Sequence, residues 1–316
     1  MQRSVTCKIY FIFLAGLVAV AAQAADEARL KPFILGNTPA GNLEQAVAVV
    51  KSALKAQGFD EAGSYSPFVG ATVIVVTSPE LKAAAARAKK YGGFGAGQRV
   101  AVTEIKGKLQ VSYVNPEYLG AAYGLGKLES ITEKLSLAIG ATKQFGAAGG
   151  LTAEALAPGT YHYMVGMPFF QQVDVLAEYP DYPTALAAVE KGLAAGKGGT
   201  QKVYRIDLPG QEVSVFGVAV VTGDGIGRGD KDTDKELMEI LDWQELRITA
   251  ALPYEMLVQN GEVLALRGRY RIALHSPDIK MAGAHGFAKI MGSSGGIKAA
   301  LSAVAEGDKP KIMKEK

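Results

Sequence analysis

The stretch from Ile248 to His275 reads ITAALPYEMLVQNGEVLALRGRYRIALH. Two runs with strand-like patterning, Ile248–Val258 and Glu262–His275, flank Gln259-Asn260-Gly261. Asn-Gly favours a tight hairpin because both central residues of such a turn need positive φ. Upstream, Arg99–Ile105 and Lys108–Val114 flank Lys106-Gly107 in the same way. Ser276-Pro277-Asp278 ends the later hairpin, as Asn115-Pro116-Glu117 ends the earlier one.

The surroundings of the two hairpins also match. Before the first comes a helix at Asn42–Gly58, with Asn42 as cap and Gln45 at the capping-box position. The strands Ala62–Pro67 and Thr72–Thr77 follow, then a helix opened by Ser78-Pro79-Glu80. A helix at Lys127–Ile139 closes the unit. The second half offers a helix at Pro183–Ala195, strands at Lys202–Leu208 and Val213–Val221, and helices at Thr233–Leu241 and Ile297–Val304. Each half reads strand, helix, two strands, helix, hairpin, helix. This predicts an α+β chain of two duplicated domains, each a mainly antiparallel sheet with helices packed on one face. The expected divisions are 25–140 and 160–305, a Gly/Ala linker at 141–159 and a charged tail at 306–316.

The run Ile248–Val258, Asn260-Gly261 and Ser276-Pro277-Asp278 resembles the bacterial domain-of-unknown-function 302 family. Gly70–Leu81 through Asn115-Pro116 is similar to it as a first copy. Gln98-Arg99 departs from the pattern, standing where the second copy has Leu252-Pro253. The resemblance implies a small α+β fold in tandem and no settled activity.

The chain has 316 residues, 48% hydrophobic and 21% charged, and one cysteine. That composition excludes a disordered chain and an internal disulfide scaffold. Arg3 and Lys8, the apolar run Ile9–Val20 and Ala22-Gln23-Ala24 form the pattern of a signal peptide over residues 1–24. The reading is a soluble periplasmic protein with no membrane anchor after cleavage. Cys7 falls within that signal, and the remainder is close to neutral, so no nucleic-acid partner is expected.

Three sets of residues carry candidate chemistry. If Glu262–His275 is one strand, Arg267, Arg269, Arg271 and His275 share a face, with the arginines spaced about 7 Å apart. Guanidinium groups recognise carboxylate and phosphate, so this face is a candidate site for a small anionic ligand. If Tyr161–Met164 is a strand, His162 and Met164 share a face and, with Met167, offer soft ligands for copper. Glu255 and His275 form a candidate acid/base pair for a hydrolase or isomerase. Other motifs read as connections: Gly92–Gly97, Gly223–Gly229 and the Gly-x-Ser-x-Gly match at Gly292–Gly296, which lacks a preceding strand. Asp230, Asp232 and Asp234 read as a solvated helix start. The expected function is an exported, non-catalytic binding or accessory protein for a small anion or a protein partner. Copper handling and uncharacterised hydrolase or isomerase chemistry are the alternatives.

Overall fold

The computed structural model describes residues 28–223 and 229–307. The signal segment 1–24, residues 224–228 of the glycine-rich loop and residues 308–316 of the tail lie outside the described residues.

In the first half, strands β1 (Phe33–Leu35), β2 (Asp60–Tyr65), β3 (Ala71–Thr77), β4 (Gln98–Ile105), β5 (Lys108–Val114) and β6 (Lys143–Phe145) form one antiparallel sheet. Its order is β2-β3-β4-β5-β1-β6. In the second half, β7 (Asp174–Glu178), β8 (Thr200–Asp207), β9 (Val213–Val220), β10 (Tyr254–Gln259) and β11 (Glu262–Ala265) form another, also antiparallel. Read from β8, its order is β8-β9-β10-β11-β7, which matches β2-β3-β4-β5-β1 role for role.

The helices follow the same order. They are α1 (Leu43–Ala56), α2 (Pro79–Arg87), α3 (Pro116–Tyr123) and α4 (Glu129–Ile139), then α5 (Ala153–Leu156), α6 (Tyr182–Ala194), α7 (Asp234–Leu241), α8 (Gly268–His275), α9 (Phe287–Ile290) and α10 (Ser293–Ala305). Helix α1 carries the expected capping box between Asn42 and Gln45. Both hairpin turns have two positive-φ residues, Lys106-Gly107 and Asn260-Gly261. That geometry matches the twist of the strands they join.

The two sheets meet face to face. Strand β9 is buried at all eight positions, since its two faces are covered by different partners. At one edge β2 crosses β8 so closely that a Cβ on Gly63 would stand 2.0 Å from the Val203 carbonyl oxygen. Both strands carry a register shift at this crossing. The Tyr204 ring lies over Gly217, and its hydroxyl reaches toward Gly97 in front of β4. Helices α1 and α6 pack against β-strands of their own halves.

Three expectations change. The run Glu262–His275 is not one strand, because β11 stops at Ala265 and α8 starts at Gly268. Its alternating apolar residues also satisfy i, i+4 helical spacing, and Gly268 lets the start of α8 rest against Ser294. Strand β10 begins only at Tyr254, after a short 3-10 turn at Thr249–Ala251. The segment 141–159 is partly structured: β6 pairs with β1, and α5 packs against α3.

Candidate functional site

The polar centre of the molecule lies between the sheets. Arg99 extends from β4, Glu255 from β10, and Arg271 and His275 from α8, all at most 3% exposed. Arg99 Nη1 donates to Glu255 Oε1, and Arg99 Nε donates to the Ala250 carbonyl at 3.1 Å. Arg271 Nε donates to Glu255 Oε2 at 2.8 Å, and its Nη2 donates to Oε1 at 3.0 Å. Arg271 Nη2 also reaches the Pro253 carbonyl at 2.6 Å. Burial alone would lower the Arg271 pKa, but the Glu255 charge and hydrogen bonds outweigh it, and the net shift is upward.

His275 is held neutral. Burial, then the charges of Arg271 and Arg99, push its pKa well below the ordinary value. Nε2 lies 2.7 Å from Arg99 Nη2 and therefore accepts, while Nδ1 donates to the Arg271 carbonyl at 2.9 Å. With both nitrogens committed, His275 is a fixed member of a packed cluster. The Glu255 carboxylate is likewise filled by two guanidinium groups, so this pair offers no free acid or base.

The sheets make further polar contacts around this cluster. Tyr65 of β2 donates to Asp234 Oδ2 at 2.8 Å. Thr103 of β4 donates to Thr249 at 3.0 Å, and Thr249 donates in turn to Asp242 Oδ2 at 2.6 Å. Tyr118 of α3 donates to the Leu274 carbonyl at 2.8 Å. Burial raises Asp234 to about 7 and Asp242 to about 6. The expectation of a solvated acidic helix start is therefore corrected: Asp232 and Asp234 are buried, at 3% and 1% exposed.

The predicted arginine face is split. Arg271 and His275 stay together because they are one helical turn apart. Arg267 and Arg269 point away from them, to the surface. Arg269 is two residues from Arg271, about 200° round the helix and so on its opposite side, and Arg267 stands at the capping position, where the backbone is not yet helical. Arg99 was not among the predicted residues. Its signal is a charge at the start of an apolar strand run whose other charge, Glu104, stands at the far end, while Glu255 is the only charge in the matching run of the other half.

Arg267 and Arg269 instead open onto a cleft of about 690 Å³ at the starts of α8 and α10. Lys298, Ser294, Gly295 and His162 share its lining. Arg267 is the capping residue of α8 and α10 follows Gly292, and neither start has a side-chain cap. Helix starts favour negative charge, and in α10 the Gly295 amide is already bonded to the Gly292 carbonyl at 3.0 Å. Asp174 is the one carboxylate among the lining residues. It is bridged by Lys298 at 2.8 Å and by Arg267 at 4.0 Å.

The soft-metal set is arranged differently from its expectation. Tyr161–Met164 is not a strand, so alternation does not align His162 with Met164. His162 packs on Phe169, with ring centroids 4.8 Å apart. Met167 lines the same cleft as His162, whereas Met164 is exposed and outside its lining. Among the described residues, no group of three or more His, Cys, Asp or Glu gathers around a possible metal position. No helix among them is long and apolar enough to cross a membrane. Compared with known proteins, the chain matches no family model, no curated protein and no solved structure.

Proposed function

We propose that this is an exported, periplasmic, non-catalytic binding protein for a small anion, held in the cleft at the starts of α8 and α10. The observation that carries the reading is the convergence of Arg267, Arg269 and Lys298 with two uncapped helix starts around one open cleft. Helix starts suit anions because free amides and the helix dipole point at the ligand. Asp174 leaves the lining with a surplus of positive charge. The repeated strand order supports reading the chain as two tandem copies that resemble the domain-of-unknown-function 302 family. The N-terminal pattern supports export.

Thermal denaturation of the mature chain with phosphate, sulfate or citrate tests the reading. Binding to the native state raises the midpoint by mass action. A rise with at least one anion, lost in the Arg269→Ala Lys298→Ala variant, is the expected result. No rise with any anion would overturn it.

A further inference from the structure

A second cleft, of about 270 Å³, lies between the two halves on another side of the molecule. Phe145 and Gly146, at the end of β6, form one wall, and Trp243 and His285 stand on the other. The Trp243 and His285 rings are stacked, 4.6 Å apart and 17° from parallel. His285 Nδ1 lies 3.2 Å from the Ile240 carbonyl and donates to it, which fixes the ring. Trp243 is nonetheless 51% exposed, unusual for so large an apolar side chain. Ser276 lines the cleft as well. Its hydroxyl is buried without a hydrogen-bond partner, and such groups are costly unless something satisfies them.

We propose that this cleft is a second binding site, for a neutral single-ring aromatic compound bearing one hydroxyl or carbonyl group. The size fits: a dry cavity of about 150 Å³ takes up benzene. Leu246, Ile248 and Ile279 give the ring apolar walls, and the indole edge and face give it an aromatic neighbour. The substituent meets the Ser276 hydroxyl, which turns about χ1 out of its buried, partnerless position to reach it. The ring bridges β6 of one half to the Trp243 loop of the other.

Trp243 is the only tryptophan in the chain, so its fluorescence reads the cleft without other contributions. Benzyl alcohol is the probe, with toluene as the matched compound lacking the hydroxyl. The expected result is a saturable blue shift with benzyl alcohol, and about fivefold weaker binding of toluene, the worth of one hydrogen bond. Ser276→Ala should remove that preference while leaving the response to toluene. A linear or absent response of the unmodified chain up to the solubility of benzyl alcohol would overturn the site. A preference retained in Ser276→Ala would overturn the role of the hydroxyl. Phosphate should leave the emission unchanged, which separates this site from the anion cleft.

Discussion

Glu255→Gln is the most informative change to the centre of the fold. The glutamine keeps the shape of the side chain and removes the negative charge that Arg99 and Arg271 share. Both guanidinium groups are at most 3% exposed, so neither can turn to water. An amide NH2 would also face donors where a carboxylate oxygen now accepts. Breaking a buried ion pair by removing one partner costs about 3–5 kcal/mol. Against a total stability of about 5–15 kcal/mol, that is about a fifth or more. At about 2–4 °C per kcal/mol for a chain of this size, the thermal midpoint should fall by roughly 6–20 °C. The assay is urea and thermal denaturation followed by circular dichroism, at low and high sodium chloride. Because the cluster is shielded from solvent, the loss should not depend on salt. In an Arg99→Met background the same substitution should cost less, by roughly 0.5–3 kcal/mol of coupling. A Glu255→Gln chain within about 1 kcal/mol of the parent, or a loss that fades with salt, would show that the Glu255 charge does not hold the two arginines in place.

Other changes probe the interface and the local folds. Asp234 has its pKa raised to about 7 by burial, above its unfolded value near 3.8. Its neutral form is the one the fold favours, so its contribution is fully present below the unfolded value and lost as pH rises through about 7. Asp234→Asn should therefore gain on the parent between pH 4 and pH 8, by urea midpoint, and a constant difference would contradict the assignment. Gly63→Ala should destabilise by about 1–3 kcal/mol, because its Cβ meets the Val203 carbonyl of the facing sheet; an unchanged denaturation midpoint would show that the strand crossing yields. Asn42→Ala should cost about 1 kcal/mol through loss of the α1 cap, measured by urea denaturation, and a neutral result would mean the capping box is idle.

Much of the architecture could be read from local signals. Asn42 with Gln45 marks a helix start wherever it occurs, and Asn260-Gly261 demands its own turn. The arrangement around α8 was less legible, because periods of two and four agree at i+4. Arg271 and His275 fall on one face under either reading, so their association survived the change from strand to helix. Arg269 lies two residues from Arg271, where the readings diverge, and it moved to the opposite side. The Arg99–Glu255 contact was within reach of sequence arithmetic. Superposing the turns Lys106-Gly107 and Asn260-Gly261 puts Arg99 at the level of Pro253 and Glu255 at the level of Ala101. Both positions then have the same parity, so both charges belong to equivalent faces. The cleft at the starts of α8 and α10 could not be assembled this way. His162, Arg269 and Lys298 come from three separate segments, brought together by the packing of α8 on α10 and by the irregular segment that carries His162.

Calorimetric titration of residues 25–316 with inorganic phosphate, at low and moderate salt, tests the anion cleft most directly. The expected result is saturable binding that weakens with sodium chloride and is lost in Arg269→Ala Lys298→Ala, with Glu255 and the fold intact. Absence of binding at low salt, or equal binding by the doubly substituted chain, would contradict it.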